Sequence, residues 1–330
     1  MVDKIREDFQ TFNPANRSFL VTGGAGFIGS HIVKRLVGEG AHVRVLDLLT
    51  TGRRENLAEV SEDIDLIVGD IGDAGTVERA IEGIEFIFHL AALVSVAESV
   101  DCPEQSFETN IAGTHNLLLA ARRAGVRRLV FSTSCAVYGD QPPPHHEGLA
   151  ARALSPYAAA KLSGEQLCRS FTHVYSLPTV CLRYFNVFGP RQDPSGGYAA
   201  AIPKFISRLI KQEQPTIYGD GYQSRDFVYV ANVVEANLQA CSEDQAIGGI
   251  FNVGTGEETN LFELLAVLEE VIGVQVEPIF APPRPGDIRR SYGDISLARQ
   301  ALKYQPKVNL KKGLMETVTW YHEFGASYWG

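Results

Sequence analysis

The sequence predicts an α/β fold, a doubly wound parallel sheet with a smaller α/β lobe attached. Three observations lead there. The first half of the 330-residue chain alternates short apolar runs with helical stretches. Most of those runs are apolar nearly throughout, as strands covered on both sheet faces are. A glycine-rich turn, LVTGGAGFIGSH, joins the first run to the first helix.

The elements follow in order. SFLVT (18–22), HVRVLD (42–47), IDLIVGD (64–70), IEFIFHL (84–90), RRLVFSTS (127–134) and PTVCLRYF (178–185) read as strands, with helices between them, notably 107–124 and 156–174. Such alternation places parallel strands in one sheet under crossover helices. After residue 185 the texture changes, and NVFGPRQDPSGGYAAAIP reads as loop. A helix at 203–212 and strands at 216–218 and near 226–230 come next. ANVVEANLQACSE (231–243) reads as a helix returning to the sheet, and GIFNVGTG (249–256) as a further strand. From about 260 onward, helices mix with the loop APPRPGD. The expected division is residues 1–185 plus about 230–258 for the sheet domain, and about 186–229 plus 259–330 for the lobe.

Composition excludes several classes. Hydrophobic residues make up 45% and charged residues 21%, as in ordinary globular domains. A net charge of −9 argues against a nucleic-acid partner, which needs a basic face. Cys102, Cys135, Cys168, Cys181 and Cys241 are scattered and never spaced as CxxC, and no HExxH occurs, so no metal is expected. The first eighteen residues carry charges throughout, and the longest apolar stretch, IFHLAALVSVA, is too short to span a bilayer. A cytoplasmic protein with no membrane partner is expected.

Gly23, Gly26 and Gly29 are spaced GxxGxxG, with Phe27 and Ile28 opening the helix. Glycines there allow a tight turn and close approach of a pyrophosphate, and the helix N-terminus supplies N–H donors. Asp47 ends the next strand, placed to accept hydrogen bonds from an adenosine ribose. Its charge would repel a 2′-phosphate, so the Rossmann-type site favours NAD over NADP. The alternative for Asp47 is a helix cap or a turn. Asp70 ends IVGD, either beside the adenine or simply as a turn residue.

In LSPYAAAKLSGEQ, Tyr157 stands four residues before Lys161. On a helix both side chains share one face. The pair is either an ordinary surface pair or a phenol acidified by a neighbouring ammonium, since a phenol left at ~10 is a poor base. Along the strand before it, Ser132 and Ser134 share a face that Thr133 does not.

GGAGFIG (23–29), Asp47, GDI (69–71), HLAA (89–92), Asn110, STSCAVYG (132–139), Tyr157-xxx-Lys161 and LRYFNVFGPRQ (182–192) together resemble the extended short-chain dehydrogenase/reductase family over essentially residues 17–325. Within it the chain is similar to the UDP-hexose 4-epimerases, and YFNVFGPRQDPSGGYAAAIPKFI to those acting on UDP-N-acetylglucosamine. The resemblance implies an isomerase with bound NAD. It makes Tyr157 the general base, Lys161 the group that orients the nicotinamide ribose and helps depress the tyrosine pKa, and Ser134 the hydroxyl that holds O4. Ser132 is implied to contact the nicotinamide, and Ile71, Leu90, Ala91, Ala92, Asn110 and Tyr184 to complete the cofactor contacts.

On the UDP-sugar side the resemblance assigns Arg225 and Arg284 to the diphosphate, though a lone arginine is otherwise a surface ion pair. Asn186 is assigned to a phosphate or sugar oxygen. Ala201, Thr216 and Tyr218 go to the uridine, and Asp287 to its ribose. Ser291 takes the position where a small residue admits an N-acetyl group. Val94 stands where N-acetyl-preferring relatives tend to have glycine, which leaves room for dual specificity. Cys135 and Ala136 replace the acidic pair that dehydratases carry, and Cys135 is read as packing. The UDP-glucuronate 4-epimerases, the decarboxylases and a non-catalytic NAD-binding sensor are the alternatives. The family implies a homodimer through helices at about 104–124 and 156–174.

Overall fold

The computed structural model describes residues 13–194, 200–283 and 288–329. The first half runs β1 (Ser18–Thr22), α1 (Phe27–Gly38), β2 (His42–Asp47), β3 (Ile64–Val68), α2 (Ala74–Ile81), β4 (Phe86–His89), α3 (Val96–Asp101), α4 (Pro103–Phe107), α5 (Thr114–Ala124), β5 (Arg128–Ser134), α6 (Pro156–Tyr175) and β6 (Thr179–Tyr184). The second half adds β7 (Asn186–Phe188), α7 (Ala201–Ile210), β8 (Thr216–Tyr218), β9 (Ser224–Arg225), β10 (Phe227–Tyr229), α8 (Val230–Ser242), β11 (Ile250–Val253), β12 (Thr259–Asn260), α9 (Leu261–Ile272), β13 (Ile279–Ala281), β14 (Arg290–Ser291), α10 (Ser296–Leu302) and α11 (Leu310–Trp329).

Among the described residues one sheet holds seven parallel strands in the order β11-β6-β5-β4-β1-β2-β3. The chain order reverses between β1 and β4, and the crevice at such a reversal is where doubly wound sheets bind ligands. Side-chain alternation divides the core. Phe19 and Val21 of β1 pack with Ile32 and Leu36 of α1 and Val233 of α8. Leu20 packs on the other face with Val77 of α2, Leu117 of α5 and Phe171 of α6. Each such side chain stabilises the sheet by ~1.5–3 kcal/mol on full burial.

A third cluster joins Phe205 and Leu209 of α7, Ile217 of β8, Leu264 and Leu268 of α9, and Leu314 of α11. Its strands are two or three residues long and pair as β7–β10, β8–β13 and β12–β9–β14. The helix expected over 107–124 begins earlier and is interrupted: residues Glu108–Gly113 form a π-turn between α4 and α5. Such turns cluster at functional sites, and this one carries Asn110. No helix among the described residues is long and apolar enough to cross a membrane.

Candidate active site

The glycine turn is shaped by backbone against backbone. Gly23 has a φ of +69°, and a methyl group on it would lie 2.7 Å from the Ala91 nitrogen. One on Gly29 would lie 2.1 Å from the Gly23 carbonyl oxygen. Gly26 caps α1 without a side chain, so the first-turn N–H groups, on Phe27, Ile28 and Gly29, take no capping side chain. A concave turn at an uncapped helix start suits a pyrophosphate, so these residues fit NAD.

Asp47 is buried at the end of β2, where its carboxylate accepts hydrogen bonds from the N–H groups of Ala25 (2.9 Å) and Leu49 (2.8 Å). It therefore ties the glycine turn to the chain beyond β2. Asp70 accepts from the Gly72 N–H at 2.8 Å, the turn geometry that was its alternative. Ile71 packs where Gly113 approaches it.

Leu90, Ala91 and Ala92 follow β4 and rest on a relay that sequence reasoning missed. The Ala91 N–H donates to Thr22 Oγ1 at 3.2 Å; Thr22 pairs with Nδ1 of buried His89 at 2.8 Å, and Nε2 pairs with Thr114 Oγ1 at 2.9 Å. Burial, with the charge of Lys161 second, holds His89 down at about 3, so it is neutral. The Asn110 carboxamide bonds both backbone groups of Leu93, at 2.8 and 3.0 Å, and so braces the loop after β4. Tyr184 donates its hydroxyl to Asn237 Oδ1 at 2.9 Å, with the Ser132 side chain beside it.

Ser155 caps α6 by accepting from the Ala158 N–H at 3.1 Å, and Pro156 opens the helix. Tyr157 and Lys161 follow on one face. Lys161 is buried and donates from Nζ to the Ser132 carbonyl oxygen at 2.8 Å, 5.9 Å from the Tyr157 ring centroid. Ser134 accepts from the Ala136 N–H at 3.2 Å and lies beside the Tyr157 hydroxyl. Thr133 points the other way, to α6.

The acidified phenol is corrected. Burial pushes Tyr157 up to about 12, and the Ser134 hydrogen bond offsets only part of that. Burial also brings Lys161 down to about 8. Its Nζ is engaged with a carbonyl rather than with the phenol, so in the protein alone burial outweighs the ammonium.

Across the lobe a cavity of about 510 Å³ gathers Asn186, Ala201, Thr216, Tyr218 and Arg225, a volume suited to a small ligand. Ser291, buried on β14, pairs in register with Arg225 on β9. Cys135 lies between Ser134 and Ser291, and burial keeps the thiol neutral by raising it to about 11. Tyr157, Ser134, Cys135, Ser291 and Arg225 thus form one run of neighbours from α6 to the cavity. Lys204 and Gln223 also line the cavity. Lys204 stands three residues after Ala201, a helical spacing that could have found it. Arg284 and Asp287 lie outside the described residues. Among the described residues no cluster of His, Cys, Asp and Glu could hold a metal.

The family model described as the NAD dependent epimerase/dehydratase family matches residues 19–254. The UDP-glucose 4-epimerase of Mycolicibacterium smegmatis is 43% identical over 92% of this chain and 97% of its own. A UDP-N-acetylglucosamine 4-epimerase from Methanobrevibacter ruminantium, solved with UDP-N-acetylmuramic acid, superposes with a TM-score of 0.90 at 39% identity, over 94% of this chain and 99% of that one. The Thermus thermophilus UDP-glucose 4-epimerase, solved with NAD, gives a TM-score of 0.85 at 41% identity over 92% and 99%.

Proposed function

The chain belongs to the NAD-dependent epimerase/dehydratase family, and on that premise we propose that it inverts C4 of UDP-hexoses through a transient 4-keto sugar. What carries the reading is convergence: Tyr157, Ser134, Cys135 and Ser291 connect the helix bearing Lys161 to a cavity lined by Asn186, Tyr218 and Arg225.

When bound, NAD supplies the hydride acceptor, the donor for its return and a positive ring beside the phenol. Tyr157 removes the O4 proton and later restores it. Ser134 hydrogen-bonds O4 and keeps it in line with the phenol. Lys161 holds the nicotinamide ribose and adds positive charge that, with the ring, offsets the burial of Tyr157. Asp47 takes the adenosine ribose, and the first-turn N–H groups of α1 take the pyrophosphate. The Arg225 guanidinium grips the diphosphate with its planar fork, while small side chains at Ser291 and Cys135 leave the hexose room to turn over. Arg284 and Asp287 belong to the same proposed substrate set.

The small Ser291 favours UDP-N-acetylglucosamine and UDP-N-acetylgalactosamine, together with UDP-glucose and UDP-galactose. Separate incubations with UDP-glucose, UDP-N-acetylglucosamine and UDP-glucuronate, followed by proton NMR, test this. The 4-epimers of the first two are expected, and activity on UDP-glucuronate alone overturns the Ser291 argument. Tyr157→Phe should retain NAD and lose ~10²–10⁴-fold in turnover; undiminished turnover removes Tyr157 from its role.

The reading also keeps the division into a cofactor domain and a UDP-sugar lobe, supported by the separate third core cluster. It keeps a homodimer paired through α4–α5 and α6, supported by the exposed Phe107 and Val174 on those helices.

A further inference from the structure

We propose that the buried Glu165–Arg183 ion pair is the positioning unit that holds Ser134 against Tyr157 and Lys161. Its consequence for turnover rests on the epimerase reading, whereas its geometry does not.

The reacting groups come from two separate elements, Tyr157 and Lys161 from α6 and Ser134 from the end of β5. Something must set the distance between them. Glu165 sits one helical turn after Lys161 and is completely buried. Its carboxylate accepts from Thr133 Oγ1 at 2.8 Å and from Arg183 at both Nε (2.9 Å) and Nη2 (2.7 Å). Thr133 lies between Ser132 and Ser134 and faces α6, so this bond clamps the helix to the segment that carries the proposed serine. Arg183 stands beside Thr133 in the β5–β6 register.

The guanidinium reaches a second point. It lies 4.7 Å from the centroid of the Tyr138 ring. Tyr138 closes the short turn Cys135–Tyr138 that Ser134 caps, and its hydroxyl donates to Asn252 Oδ1 at 2.7 Å. Ser134 is therefore held from both sides, through Thr133 before it and Tyr138 after it, with Arg183 common to both.

Stability does not account for the pair. Two charges taken from water cost several kcal/mol each, and exchanging a buried pair for apolar residues is often neutral or stabilising. A bidentate Arg–carboxylate contact does fix orientation, and a misplacement of ~1 Å near reacting atoms can cost ~10²-fold in rate.

The test compares NAD-loaded wild type with the double variant Glu165→Leu/Arg183→Met and with Glu165→Asp, which keeps the charge one methylene short. Two readouts are taken: kcat and KM on UDP-hexose, and the ¹³Cζ resonance of Tyr157 in tyrosine-labelled protein. The double variant should lose ~10–100-fold in kcat at unchanged KM. The Tyr157 resonance should move while that of Tyr321, buried in the third core cluster, stays. Glu165→Asp should recover part of the rate and part of the resonance position. Wild-type kcat with an unmoved Tyr157 resonance overturns the proposal. Should wild type turn over no UDP-hexose, the epimerase reading falls and the resonance decides alone: moved supports the clamp, unmoved refutes it. Should the double variant fail to fold, Glu165→Asp is judged by the same two outcomes.

Discussion

At Gly29, in the glycine turn, a methyl group would sit 2.1 Å from a carbonyl oxygen; at Gly219, next to Tyr218 of the lobe cavity, it would meet nothing nearer than the Pro283 Cβ at 3.6 Å. The contrast extends to the architecture. The Rossmann half is made of strands of four to seven residues within one parallel sheet, whose β1, β4, β5 and β6 are buried almost throughout. The lobe is made of two- and three-residue strands packed with helices α7, α9 and α11. A close-packed half tolerates almost no change of volume, whereas a cavity rimmed by short strands can accept ligands of several sizes. That division suits a reaction in which the dinucleotide stays put and the hexose must turn over.

The harshest test of the contrast is a pair of alanines. Gly29→Ala should lose co-purified NAD and at least ~3 kcal/mol of stability, the upper end of overpacking costs. Gly219→Ala, at a φ of +82°, should lose only the strain of a left-handed backbone, ~1 kcal/mol, and keep its NAD. Equal losses on thermal unfolding would break the comparison.

Lys161 sharpens it next. The folded protein holds that proton less tightly than the unfolded chain, so the penalty is fully present below the folded value and fades as pH rises. Relative to Lys161→Met, wild type should gain about 3 kcal/mol of stability as pH climbs from about 8 to 10.5. Denaturant unfolding across that range reads it, and a flat difference would show that burial does not govern this amine.

The smallest effect belongs to the lobe. Arg225→Met should raise the KM for UDP-hexose by ~10–100-fold, the worth of a charged hydrogen bond of ~1.5–3 kcal/mol. NAD content and melting temperature should be untouched. Loss of NAD instead would mean that the two halves are not separable.

The features read directly from the chain were local ones. Apolar runs marked six of the seven sheet strands to within two residues, since a strand buried on both faces must be apolar wherever it lies. The remaining one, β11, ends three residues before the run GIFNVGTG does. The GxxGxxG spacing and Tyr157-xxx-Lys161 needed only a turn and a helix to acquire their geometry. Thr133 was assigned to the face away from Ser132 and Ser134 by alternation alone, and its hydroxyl does point to Glu165.

Other features had no local signal. Asn110 and Tyr184 turned inward to Leu93 and Asn237. Cys135, read as packing, lies between Ser134 and Ser291. The π-turn at Glu108–Gly113 interrupts what looked like one helix.

The sequence by itself determined the secondary structure of the sheet, the glycine turn and the placing of Tyr157 and Lys161 on one helix face, because each follows from residue types a few positions apart. Tertiary structure alone decided how tightly Tyr157 and Lys161 hold their protons, and which distant residues share the cavity. It also decided that Glu165 would find Arg183 and Thr133. The physical reason is that desolvation and strand register are properties of the assembled fold: they depend on what packs around a side chain, and no spacing along the chain records that.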